Sequence, residues 1–174
     1  MKQQQQIMKP QDLLLMLKII SLGNKAWNQN SIANELCISQ SEVSEATKRL
    51  KFSGLLDSKG KQVMRLALMD FLQYALKYVF PTSPGALVRG VATSHSAEPL
   101  KNEIVSNEKY VWPFAKGTER GQAISPLYPS VVEAVQKDAE LYEILALVDA
   151  LRVGRARERE MAITILKQRI VNGK

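Results

Sequence analysis

Apolar residues recur at helical spacing over much of the first eighty positions, and this periodicity sets the first expectations. Leu13, Leu14, Leu17 and Ile20 predict a helix over Pro10–Leu22 with a broad buried face. Pro10 stands in its first turn, where a missing N–H costs nothing, and Gly23-Asn24 stops it. Ile32, Ala33 and Leu36 share one side of a short second helix over residues 29–36, with Asn28 as its cap. A third helix starts after Ser39, where Ser39-Gln40-Ser41-Glu42 reads as a capping box: hydroxyl and carboxylate each satisfy an orphan backbone N–H. At about 100° per residue, Val43, Ala46, Thr47 and Leu50 fall in one arc, and Ser41, Ser44, Glu45 and Lys48 lie opposite. This helix has a core face and a polar outer face.

Ser53-Gly54 breaks the pattern. Residues 55–57 and 63–64 then read as two very short strands around a basic tip, Ser58-Lys59-Gly60-Lys61-Gln62. Residues 65–80 form a helix that is apolar on nearly every side: Leu66, Met69, Leu72, Leu76 and Val79 on one flank, Leu68, Phe71, Tyr74, Ala75 and Tyr78 on others. Such a helix must be covered all round, by its own domain or by a second copy. Pro81-Thr82-Ser83-Pro84-Gly85 ends it and marks the domain boundary, dividing an N-terminal unit (1–65), a connecting helix and linker (66–84) and a C-terminal module (85–174). Residues 86–130 carry Pro99, Pro113, Pro126 and Pro129, little helical periodicity and a candidate hairpin of 110–114 against 122–124. Helices resume over 130–136, over 139–153 behind Asp138 as cap, and over 155–171.

Composition changes this picture in two ways. With 174 residues and 45% hydrophobic content the chain buries a real core. Its net charge of +7 favours a polyanionic partner, and the excess is uneven: residues 1–65 hold 10 basic and 5 acidic side chains, residues 66–174 hold 14 and 12. A lone cysteine, Cys37, forms no internal disulfide, and no Cys/His cluster offers metal ligands. The start, Met1 to Pro10, lacks the layout of an export signal, and Gln3 to Gln6 read as a frayed end. The expectation is a cytoplasmic chain without cofactor or metal.

The run Ser31-Ile32-Ala33-Asn34-Glu35-Leu36-Cys37-Ile38-Ser39-Gln40-Ser41-Glu42-Val43-Ser44 resembles the winged helix-turn-helix of MarR-like bacterial transcription regulators. Ala33 matches the small residue that lets the two helices approach, Ile38 and Val43 match buried positions, and Lys48-Arg49-Leu50 with Ser53-Gly54-Leu55-Leu56 resembles the stretch leading to the wing. Cys37 departs from the pattern, which often has glycine there. The resemblance covers residues 10–65 and ends by Pro81. It implies an N-terminal winged helix-turn-helix, and with the periodicity of the remaining chain the expected architecture is mainly α (α+β): that domain, a long connecting helix, and a C-terminal α+β module ending in two helices. It further implies a homodimer that binds double-stranded DNA and regulates transcription, most simply as a repressor, and is not an enzyme. The DNA-binding residues would be Gln40, Ser41, Ser44, Glu45, Lys48, Arg49 and Lys51 from the helix, with Lys59 and Lys61 from the wing tip. A small-molecule or protein effector would act at the C-terminal module. The alternative is a protein-interaction adaptor or antitoxin-like regulator whose C-terminal half holds a protein partner.

Other signals carry less. His95 in Thr93-Ser94-His95-Ser96 has no nucleophile and acid set around it in the sequence, and reads as a loop imidazole bonded to nearby hydroxyls. Tyr110, Trp112 and Phe114 read as core packing or as an aromatic pocket served by Arg89 or Arg120. Arg152, Arg155, Arg157 and Arg159, interleaved with Glu158 and Glu160, read as a solvated helix face with intrahelical pairs or as a second nucleic-acid contact.

Overall fold

Caps and apolar spacing place the first helices where the sequence predicts them. The computed structural model describes residues 7–173, so the glutamine run lies outside the described residues. Helix α1 (Pro10–Leu22) is buried on all sides from Gln11 to Ile20. A helix so enclosed needs partners all round, and its two charged residues, Asp12 and Lys18, are each met by an opposite charge. Helix α2 (Gln29–Leu36) is capped by Asn28, whose side chain accepts from the Ser31 amide at 2.9 Å. Helix α3 (Gln40–Phe52) follows a short turn. Only half of the expected capping box forms there: Ser39 Oγ accepts from the Glu42 amide at 3.2 Å, but the Glu42 carboxylate accepts from Gln11 Nε2 of α1 at 2.8 Å. A tertiary partner has displaced the local one.

The predicted strands after α3 shrink to one antiparallel bridge, Leu56 to Val63. The helix expected over 65–80 is three pieces, α4 (Arg65–Asp70), a π turn (Phe71–Ala75) and α5 (Leu76–Val79). The wider turn lets one continuous run serve two partners, since α4 packs on α8 and α5 on α7.

The segment without helical periodicity forms a small closed barrel of β1 (Leu87–Ala92), β2 (Tyr110–Pro113) and β3 (Glu119–Ala123). The expected hairpin is corrected here. Strand β1 takes both other strands as antiparallel neighbours, β3 along Leu87 to Gly90 and β2 along Gly90 to Ala92. Two strands antiparallel to the same strand are parallel to each other, so Tyr110 pairs with Gln122 in parallel and the barrel closes. Gly90 and Gly117 permit the crossing: a Cβ on Gly117 would stand 2.2 Å from the Gly90 carbonyl oxygen.

Helices α6 (Val131–Ala134), α7 (Ala139–Val153) and α8 (Ala156–Ile170) complete an α+β chain. Asp138 caps α7 as expected, accepting from the Leu141 amide at 2.9 Å. One hydrophobic cluster runs from α1, α2 and α3 through α4, α5 and the C-terminal helices. The loop at 81–85 therefore does not separate two cores. Helix α1 packs directly on α7, and Lys18, only 3% exposed, lies 2.5 Å from Glu35 of α2 and 2.6 Å from Asp138. Leu72 and Leu76 are buried against their own chain, which leaves Leu66, Tyr74, Tyr78 and Val79 as the exposed large apolar side chains of this run. Among the described residues no helix is long and apolar enough to cross a membrane.

Candidate nucleic-acid interface

Helix α3 presents its polar side because its apolar side is spent. Val43, Ala46, Thr47 and Leu50 are buried, and Thr47 donates its hydroxyl to the Val43 carbonyl at 2.8 Å, so its polar atom is satisfied inside the helix. Gln40, Ser41, Glu45, Lys48 and Lys51 are exposed, and Ser44 is half-buried. The start of α3 is set by Cys37, which sits in the left-handed region at φ 55 and ψ 42. That explains why glycine would be at home there. A non-glycine residue in this conformation costs about 1–2 kcal/mol, and the chain tolerates it because the Cys37 and Ile38 amides both find carbonyls at the end of α2.

The turn closed by the Leu56–Val63 bridge is built by Asp57. Its Oδ1 accepts from the Lys61 amide at 2.7 Å and the Gln62 amide at 2.9 Å. These backbone donors, Gln62 first, hold the Asp57 carboxyl below its ordinary value. The acid is thus turned onto its own loop. Gly60, at φ 69, faces α3 so closely that a Cβ would meet Thr47 Cγ2 at 2.9 Å and Lys51 Cδ at 3.2 Å. The basic turn is pressed against the edge of α3 where buried Thr47 gives way to exposed Lys51, and Lys59, next to Gly60 in the turn, is exposed as well.

The predicted site residues separate into three groups. Gln40, Ser41 and Lys51 on the outer side of α3 and Lys59 on the turn are exposed, and Ser44 is half-buried. Glu45 and Lys48 are exposed too but pair with each other at 2.7 Å, and the Lys48 ammonium holds the Glu45 carboxyl below its ordinary value. An exposed pair of this kind is worth little and opens readily to a competing anion. Arg49 and Lys61 are turned elsewhere. The Arg49 guanidinium reaches inward to Asp12, with Nε at 2.8 Å from Oδ2 and Nη2 at 2.7 Å from Oδ1. Hydrogen bonding to Asp12, partly offset by burial, raises the Arg49 pKa above its ordinary value. Lys61 lies 4.2 Å from the centre of the Trp27 ring and donates to the Trp27 carbonyl at 3.3 Å.

Most of the other candidate side chains are held by partners within the chain. His95 is buried, with Nε2 at 2.8 Å from the Glu108 carbonyl oxygen rather than from a hydroxyl, and its ring meets Tyr110 edge-on. Trp112 is core: its indole N–H donates at 2.6 Å to Asp149, which also accepts from Thr93 and Arg152. Burial pushes the Asp149 carboxyl up, against the pull of those three donors. Tyr110 is buried as well, Phe114 is half-buried, and Arg89 and Arg120 are exposed neighbours in the β1–β3 register. The arginine run is not a row of intrahelical pairs. Arg152 pairs with Asp149, but Arg155 reaches Glu108 and Arg159 donates to the Leu151 carbonyl.

Two residues that hold candidate site side chains, Asp12 and Trp27, escaped the sequence. Asp12 reads as an ordinary first-turn acid of α1, and only the inward direction of Arg49 reveals it as a latch on α3. Trp27 stands in a polar loop where nothing in the spacing marks it. No family model, no curated protein and no solved structure matches this chain.

Proposed function

We propose that this protein is a double-stranded DNA-binding transcription regulator, with α2 and α3 acting as a helix-turn-helix and the turn at 57–62 as a reduced wing. The observation that supports this best is the joint surface of α3 and the basic turn. Short polar side chains on the outer face of a helix, Ser41 and Ser44 with Gln40, are suited to base edges in the major groove. Lys51 and Lys59, brought alongside by the close fit of Gly60 on α3, are suited to the flanking phosphates. As a homodimer the protein would present two such surfaces to paired half-sites, and Leu66, Tyr74, Tyr78 and Val79 are the exposed apolar side chains of the 65–80 run available for that contact.

The test is binding of the full chain to a selected operator and to scrambled DNA across a salt series. Lys51→Gln and Lys59→Gln should weaken both duplexes alike and lower the slope of log affinity against log salt by about 1 each. Ser44→Ala and Lys48→Ala should shrink the specific-to-nonspecific ratio, by about 1–3 kcal/mol where a good base contact is lost. If folded variants of both classes bind both duplexes as the wild type does, the surface serves a protein partner instead.

A further inference from the structure

A cleft of about 960 Å3 opens between the end of α1, the loop at 23–28, the basic turn and the start of α4. That size lies within the range of small-molecule sites, and its chemistry is one-sided. Every ionisable side chain lining it is cationic: Lys25, Lys61 and Arg65, with no Asp or Glu among them. Arg65 spends Nη1 on the Ile170 carbonyl at 2.6 Å, which anchors the guanidinium and leaves its other N–H groups for a ligand. With no carboxylate among the lining residues, these cations around an apolar floor of Ile19, Ile20 and Val63 favour an anionic ligand.

The second feature is a flat platform. Trp27 lines the cleft with the Lys61 ammonium 4.2 Å from its ring centre, so the ring face is already the seat of a cation. Gly23 and Gly54, both at positive φ, also line the cleft, and no atom lies within 4 Å of where either Cβ would stand. Asn24 and Gln62 complete the rim with amides that both donate and accept.

A single carboxylate would leave most of this charge unanswered, and an aliphatic anion would not use the ring face. A phosphate, with about −1.5 to −2 charge and three acceptor oxygens, matches the cations. A planar heteroaromatic base matches the indole face and the rim amides. We propose that the cleft binds a nucleoside monophosphate, its base stacked on Trp27 and its phosphate held by Lys25, Lys61 and Arg65. On binding, Lys61 moves from the indole face to the phosphate. The inference goes beyond DNA recognition and stands or falls without it.

The test uses the full chain in the absence of DNA. AMP, GMP, CMP and UMP are titrated by calorimetry and by tryptophan fluorescence, in which the buried Trp112 supplies a constant background. At least one nucleotide should bind saturably and quench Trp27. Its parent nucleoside, inorganic phosphate and benzoate should each bind about tenfold more weakly or worse. Lys25→Gln and Lys61→Gln, both at exposed positions, should each weaken the nucleotide by about tenfold. Trp27→Phe should retain binding and Trp27→Ala should lose it. Absence of saturable binding by all four nucleotides would overturn the proposal, as would benzoate binding as tightly as the best nucleotide or an unchanged affinity in Lys25→Gln. Because no DNA is present, a negative result leaves the DNA reading intact, and a failure of DNA binding leaves a positive result here intact.

Discussion

Replacing Arg49 by methionine distinguishes a latch from a surface contact. Asp12 is completely buried, and it accepts from Arg49 Nε, Arg49 Nη2 and the Lys9 amide. With Arg49→Met only the Lys9 amide, at 2.9 Å, remains to meet a carboxylate shut off from water. Removing one member of a buried pair typically costs about 3–5 kcal/mol, because the other charge is left uncompensated. The Arg49 side chain is 12% exposed, so some water reaches the site and the lower part of that range applies. A loss of about 3 kcal/mol is large against a typical domain stability of about 5–15 kcal/mol. The companion variant, Asp12→Leu with Arg49→Met, removes both charges and should recover part of the loss, giving a favourable coupling in a double-mutant cycle. Urea unfolding of the four proteins, followed by circular dichroism, supplies the energies. A cost below about 1 kcal/mol for Arg49→Met, with no coupling to Asp12, would refute the latch. Arg49 would then be a solvated cation, open to the phosphate role that its place in the sequence suggests.

Cys37→Gly should stabilise the chain by about 0.5–1 kcal/mol, because relief of the left-handed conformation exceeds the entropy glycine loses on folding; a lower thermal midpoint would contradict this. Stability should also depend on pH through the Lys18 contacts. For Asp138, burial pushes the carboxyl up, but the Leu141 amide and Lys18 outweigh it and hold the folded value below 3.8. Its contribution is therefore present above that pH and lost as pH falls below it, and Asp138→Asn, which keeps a capping oxygen, should flatten the acid limb of a thermal-midpoint profile. For Lys18, burial lowers and the bonds to Asp138 and Glu35 raise, with a net rise above 10.5. That contribution is full below 10.5 and lost as pH climbs through the folded value, so an unchanged alkaline limb in Lys18→Met would exclude it. Finally, Tyr74→Glu should lower the mass of a homodimer to one chain in sedimentation without unfolding it, whereas Leu72→Glu should unfold the protein; a wild type of single-chain mass would end the dimer proposal.

The N-terminal helices were legible because their signals are local. Pro10, Asn28, Asp138 and the stops at Gly23 and Gly154 act within a turn of the residues they govern, so helices α1, α2 and α7 lie where caps and periodicity put them. The barrel was not legible because its order is set by contacts distant in sequence. Strand β1 recruits β2 and β3 from twenty and more residues away, and the close approach of Gly90 and Gly117 shows only once the strands are paired. The same division runs through the candidate site. A helical wheel separates Val43 and Leu50 from Ser41 and Lys48, but it places Arg49 by backbone position alone, and nothing local tells where Lys61 of the turn ends.

Where a long basic side chain ends depends on which acid or ring lies within its reach. A guanidinium on α3 finds a buried carboxylate on α1, and an ammonium on the basic turn finds an indole in the loop before α2. The consequence for function is specific. The net positive charge of residues 1–65 does not all face one partner: Lys51 on α3 and Lys59 on the turn remain exposed, Arg49 and Lys18 hold helices together, and Lys25, Lys61 and Arg65 converge on the Trp27 cleft. Because Gly60 seats the basic turn on α3 while Lys61 of that turn reaches Trp27, the two surfaces share one loop. A ligand that draws Lys61 away from the indole acts on the same five-residue tip that carries Lys59. Occupancy of the cleft would then be felt at the α3 surface without passing through the core.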